Sequence, residues 1–303
     1  MIIEQHALWG EEPTPEHPAT YTAYLADAMP EHEAELRGAV VICGGGSFTH
    51  VGAYEQEPVA IAFLQAGYQA FVLDYVTSSI GDVSYPNPEA DLARMVATVR
   101  ANAAAWRVDP ARVVVVGFSA GGFLCASVST SWKAGTLAGM AQASAEAICP
   151  NAVVLAYPAL DLLYLRNMQT RDPRIDLRVP KTGGKTGRDL LNDYFRTLVG
   201  ADVPDGELEE RIDAVCPTHH VDRSVPPTFI WACADDKVAP MAQVYPYAQR
   251  LAEEGVPHEL HVFNQGGHGR SVANANSAHG DEDRQPAVRP WFDLARAFLD
   301  RVL

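Results

Sequence analysis

The run Val113-Val114-Val115-Val116, closed by Gly117-Phe118-Ser119-Ala120-Gly121-Gly122, constrains the fold more than any other stretch of the chain. Consecutive β-branched residues predict a strand buried on both faces. Gly-x-Ser-x-Gly at the end of such a strand, with a helix over 121–130 after it, predicts a sharp turn holding one hydroxyl above the end of a sheet. A hydroxyl in that place can attack a carbonyl, which makes Ser119 the candidate nucleophile. The plainer alternative is an inert serine in a glycine-rich strand-to-helix turn.

The rest of the chain supplies the sheet. Apolar runs at 38–43, 68–75, 151–157 and 228–233, with His258-Glu-Leu-His-Val-Phe263, read as further strands. Between them, 58–66, 89–104, 241–254 and 291–302 read as helices, with Leu92, Met95, Val96 and Val99 at helical spacing and Pro246 as a local kink. Strands of nearly continuous apolar residues alternating with helices predict an α/β protein with a mostly parallel sheet covered on both faces. Residues 1–37 are acidic and proline-punctuated and predict a partly irregular N-terminal extension, with Tyr21-Thr-Ala-Tyr-Leu packed on a main domain over 38–303. Residues 160–215 break the rhythm. They hold Arg166, Arg171, Arg174, Arg178, Lys181 and Lys185, a Gly183-Gly184 pair, a helix over 190–198 and an acidic stretch at 205–210. Their position between two core strands suits a lid inserted over the site, and equally a mobile surface excursion.

Composition narrows the function classes. The chain has 303 residues, 48% of them hydrophobic, and a formal net charge of −15. That balance disfavours nucleic acid and anionic membranes as partners and suits a neutral small molecule. No Cys-x-x-Cys occurs among Cys43, Cys125, Cys149, Cys216 and Cys233, and several sit in apolar runs, so they read as small buried residues. The first ten residues lack the basic region and apolar core of a secretory signal, and no apolar run is long enough to cross a bilayer, so the expectation is a soluble cytoplasmic protein. A homo-oligomer is compatible with the chain, which identifies no surface for one.

A serine nucleophile needs a base, and the base needs an acid to orient it. His268, in Gly266-Gly267-His268-Gly269 after the last strand, is the candidate base. Asp235 and Asp236 follow the strand over 228–233 and are both candidate acids. One oxyanion donor is expected at the N–H after the nucleophile, Ala120, and another in Gly44-Gly45-Gly46, with Gly45 and Gly46 the candidates. His50, near that glycine turn, is placed on the substrate side. His219 and His220 are weaker candidates for the pocket wall, His258 and His261 read as structural, and His279 reads as exposed. Asp235, Asp236 and the paired histidines match no compact zinc signature, so no metal or other cofactor is expected.

Together these motifs resemble the α/β-hydrolase superfamily, and within it the esterase/lipase group that includes acetylxylan and other carbohydrate esterases of the BD-FAE type. The resemblance runs through Val40-Val-Ile-Cys-Gly-Gly-Gly, Glu57-Pro58-Val59-Ala60, Phe71-Val-Leu-Asp-Tyr75, Tyr85-Pro86, Asp91-Leu-Ala-Arg94, Asp109-Pro-Ala-Arg-Val, the Ser119 turn, Ala234-Asp-Asp-Lys-Val-Ala-Pro240 and the His268 loop. It implies that the acid is Asp236, four residues before Pro240, with Asp235 left to orient its loop. It also implies serine-dependent hydrolysis of a carboxylic ester, often acetyl on a sugar, without a cofactor. Cys43 stands where such chains often carry His or Pro before the glycines, and 160–215 is the least family-like segment. A small-molecule amidase or formamidase, a peptidase-like hydrolase, and a binding protein that kept the fold without catalysis are the alternatives.

Overall fold

Strand-forming runs with no polar face can only be satisfied inside a sheet covered on both sides, and that is where they lie. The computed structural model describes residues 1–27, 36–171, 186–278 and 280–303. Its strands are β1 (Ile2–Ala7), β2 (Thr20–Leu25), β3 (Arg37–Cys43), β4 (Gln69–Asp74), β5 (Val108–Phe118), β6 (Ala152–Ala156), β7 (Thr228–Cys233) and β8 (His258–Phe263). They form one sheet in the order β1-β2-β4-β3-β5-β6-β7-β8. Pairing is parallel from β4 across to β8, while β1 and β2 run antiparallel at the other edge. Every residue of β6 and β7 is buried.

The helices are α1 (Glu57–Gln65), α2 (Asn87–Ala101), α3 (Ala103–Trp106), α4 (Ala120–Ser131), α5 (Gly135–Met140), α6 (Ala145–Ile148), α7 (Leu162–Arg171), α8 (Gly187–Val199), α9 (Leu208–Ala214), α10 (Met241–Glu253) and α11 (Trp291–Val302). Across one seam, Phe63 of α1 meets Phe292 of α11 with ring centroids 4.9 Å apart. Trp291 of α11 stacks on Trp231 of β7 at 5.2 Å. The architecture is the α/β-hydrolase fold.

Two expectations change in detail. The N-terminal stretch is not merely irregular: β1 pairs with β2, and β2 pairs with β4, so it completes the sheet edge. The alternation in Thr20-Tyr-Thr-Ala-Tyr-Leu supports a half-buried strand, whereas Ile2-Ile-Glu-Gln-His-Ala is exposed along most of its length and gives no such pattern. The helix expected over 89–104 breaks after Ala101. There the Asn102 side chain donates to the Thr98 carbonyl at 2.8 Å, a local bond that competes with continuing the helix.

Topology creates the site. The chain passes from β3 outward to β4, then returns to β5 on the other side of β3. Strand order reverses there, and the crevice beyond the carboxyl ends of β3 and β5 is where open sheets of this kind bind ligands. The glycine turn after β3 and the serine turn after β5 are therefore neighbours.

Within 160–215, helices α7, α8 and α9 pack on one another. Thr186 and Asp189 form a reciprocal capping box that starts α8. Arg166 of α7 is buried, and its guanidinium reaches Glu209 at 2.7 Å and Asn192 at 2.9 Å, tying the three helices together. Arg174, Arg178, Lys181, Lys185 and the Gly183-Gly184 pair lie outside the described residues, as does His279. All five cysteines are free, with Cys149 alone half-buried and the others buried.

Candidate active site

The turn at Ser119 is strained by design of its neighbours. Ser119 has φ 51° and ψ −115°, a region that non-glycine residues rarely adopt. Three backbone bonds fix it: its N–H donates to Ala156, and its carbonyl accepts from Phe123 and Ala159. A side chain at Gly117 would sit 2.2 Å from the Gly121 carbonyl, and one at Gly121 would sit 2.1 Å from the Cys43 carbonyl. Only glycine permits that approach, which explains both glycines of the motif.

The three polar side chains meet in a line. His268 Nε2 lies 2.8 Å from Ser119 Oγ, and His268 Nδ1 lies 2.7 Å from Asp236 Oδ2. The Asp236 side chain has no solvent exposure, and its other oxygen accepts the N–H groups of Val238 and Ala239 at 2.8 and 2.9 Å. Asp235 instead accepts the Gly267 N–H at 2.8 Å and so fastens the histidine loop. That bond holds the Asp235 carboxyl below its ordinary range. Behind the imidazole, the Tyr157 ring stands edge-on with centroids 4.9 Å apart.

The glycine turn lies against the serine: a side chain at Gly45 would come within 2.8 Å of Ser119 Cβ. Of the two candidate donors there, the Gly45 N–H is committed to the Glu55 carboxylate at 2.6 Å. Among the described residues, the N–H groups of Gly46 and Ala120 meet no acceptor. Ala120 opens α4, so its N–H also carries the partial positive charge of a helix start. His50 is exposed on the same turn, with Nδ1 3.0 Å from Thr49 Oγ1. Neither His219 nor His220 joins the group. His219 pairs with Asp213 at 3.0 Å, and His220 bonds the Ala214 carbonyl at 2.6 Å. His261 pairs with Glu259 and stacks on Phe229, while His258 bonds the Val256 carbonyl.

Three further residues at this edge escaped the sequence reading. Glu55 lies in a short turn (Ala53–Glu55) with no periodicity to mark it, and Tyr157 follows β6 like any strand-end residue. Tyr194 of α8 donates its hydroxyl to the Ser47 carbonyl at 2.9 Å, which ties α8 to the glycine turn.

A family model, BD-FAE, matches residues 27–251. The chain belongs to the BD-FAE family. It is 30% identical over 239 residues to endo-1,4-beta-xylanase B of Butyrivibrio fibrisolvens, covering 78% of this chain and 33% of the xylanase. It thus spans about a third of that curated relative's length. Among solved structures it resembles the carboxylesterase Cest-2923 of Lactobacillus plantarum WCFS1, with TM-score 0.77, 25% identity and coverage of 99% and 98% of the two chains. A sugar hydrolase from Lactococcus lactis matches with TM-score 0.69 and 26% identity, covering 93% of this chain and 94% of its own. This BD-FAE member accordingly carries the α/β-hydrolase framework. No helix among the described residues is long and apolar enough to cross a membrane.

Proposed function

We propose that this BD-FAE chain is a serine-dependent carboxylic ester hydrolase that removes short acyl groups, acetyl foremost, from a carbohydrate or small ester. The observation that carries the reading is the unbroken run from Asp236 through His268 to Ser119, at 2.7 and 2.8 Å, with the N–H groups of Gly46 and Ala120 unpartnered among the described residues.

In the proposed cycle His268 takes the Ser119 proton while Asp236 orients the ring and stabilises the imidazolium. Ser119 Oγ bonds to the ester carbonyl carbon, and the carbonyl π pair moves to oxygen. The resulting oxyanion is met by the N–H groups of Gly46 and Ala120, each contributing about 3 kcal/mol to transition-state stabilisation. The tetrahedral species collapses by breaking the bond to the alcohol oxygen, which takes the proton from His268. Water repeats the sequence on the acyl-serine and releases the carboxylic acid. His50, exposed on the glycine turn, and the helices α7 to α9 are the groups this reading assigns to the substrate side and to a lid.

The sugar assignment is supported by the named relatives, a xylanase and a sugar hydrolase, and by a chain whose formal net charge of −15 suits a neutral substrate. The test compares wild type and Ser119→Ala on p-nitrophenyl acetate, butyrate and octanoate beside acetylated xylo-oligosaccharide. Expected is acetate release from the oligosaccharide, with kcat reduced about a millionfold in the variant. Turnover confined to simple esters overturns the sugar assignment, and equal rates in both proteins overturn the serine mechanism.

A further inference from the structure

Two loops must stay in register for the proposed chemistry, the glycine turn and the histidine loop, and one buried side chain touches the supports of both. Glu55 has no solvent exposure. Its Oε2 accepts the Gly45 N–H at 2.6 Å, and its Oε1 accepts the Tyr157 hydroxyl at 2.6 Å. The Tyr157 oxygen in turn accepts the N–H of Ser271, just past His268, at 2.8 Å. Ser271 Oγ then donates to the Tyr54 carbonyl at 2.7 Å, which closes the circuit at the residue before Glu55.

On the glycine side the bonds fix orientation. The peptide joining Gly44 to Gly45 is held at both ends: its carbonyl accepts from the Tyr75 hydroxyl at 2.8 Å, and its N–H is held by Glu55. The next peptide gives its carbonyl, Gly45 O, to the Gly52 N–H at 2.8 Å. In a trans peptide the N–H points opposite to the carbonyl, so the Gly46 N–H is turned away from Gly52. Orientation of the free donor thus follows from the anchoring of its neighbour.

We propose that Glu55 is a positioning residue that locks the oxyanion loop to the histidine loop through Gly45 on one side and Tyr157 and Ser271 on the other. The inference rests on the serine-esterase reading for its consequence in catalysis, but its bonding claim stands on the contacts themselves. A carboxyl group is a costly choice for filling a core, and burial does push its titration upward. An apolar side chain of the same volume fills space without that cost. What it lacks is two acceptor oxygens facing donors on different loops.

Glutamine keeps the shape but places an amide donor against one of those N–H or O–H donors. The experiment therefore uses Glu55→Gln, Tyr157→Phe and the double variant. It reads kcat and KM on p-nitrophenyl acetate, and amide exchange in peptides covering 44–52 and 264–272. Expected is a fall in kcat of about ten- to a hundredfold with KM within about twofold, the scale of a small misplacement of reacting groups. The double variant should be no worse than the worse single one, because both changes cut one circuit. Exchange should quicken in both loops in each single variant. Unchanged kcat in Glu55→Gln, additive losses in the double variant, or quickening confined to one loop would each overturn the proposal. Should Glu55→Gln not fold, Tyr157→Phe carries the same readouts. Should wild type prove inert on esters, the esterase reading fails, and the exchange pattern alone decides whether the loops are coupled.

Discussion

At the scale of single residues, this molecule carries buried carboxyls in two different settings. Asp236 faces donors on both oxygens and an imidazole, whereas Glu89, at the start of α2, is buried with Oε2 lacking a partner. Burial pushes the Glu89 carboxyl up from 4.5 to about 7. Its folded state therefore binds a proton more tightly than its unfolded state. The stability this contributes is fully present below pH 4.5 and is lost as pH rises through about 7. Glu89→Gln cannot ionise, so its stability relative to wild type should rise by about 3 kcal/mol between pH 4.5 and 8. Urea unfolding at the two pH values checks this, and the difference in pH slope is unaffected by any constant cost of the amide. Parallel pH dependence of the two proteins would contradict the assignment. Asp91 shifts the same way, to about 6, although it accepts from Trp9 at 2.6 Å and from Val76 at 2.9 Å.

At the scale of elements, the packing of α7, α8 and α9 depends on Arg166. From α7 its guanidinium meets α8 and α9 at once, and its Glu209 partner is largely exposed. Arg166→Ala should cost about 2 kcal/mol, since it removes charge-assisted bonds without stranding a buried anion. Hydrogen exchange should quicken in α7 to α9 while β5 keeps its protection; equal quickening in β5 would show that these helices are not a separable unit. The same elements show what a single sequence reveals. The strand over 228–233 and the helix over 291–302 were legible to the residue, because uniform burial or amphipathic spacing writes itself into hydrophobicity. β1 was not legible, because an edge strand exposed on most positions has no periodic signature. Ser119, His268 and the two aspartates were legible because glycines and strand ends mark them. Glu55 and Tyr157 were not: their roles depend on contacts between residues distant in sequence, |i−j| = 102 for their mutual bond. For the same reason the commitment of the Gly45 N–H to Glu55, on which the proposal of Gly46 as donor rests, required the fold.

At the scale of the whole molecule, the N-terminal strands belong to the same sheet as the chemistry. β2 covers the edge of β4, and Trp9 reaches Asp91 of α2. A chain lacking residues 1–27 leaves the β4 edge open, and an open apolar edge is a template for association. Size-exclusion chromatography should find that truncated chain aggregated, while a monodisperse and active product would show the extension to be dispensable. The claim on which the proposed function turns is narrower: Ser119 alone is activated, by His268, toward a carbonyl or phosphoryl centre. The most direct measurement is peptide mass mapping after treatment with a fluorophosphonate, on wild type, Ser119→Ala and His268→Ala. Expected is a single adduct on the peptide carrying Ser119, absent in the serine variant and strongly slowed in the histidine variant. An adduct on another residue, or labelling of Ser119 at the same rate without His268, would contradict it.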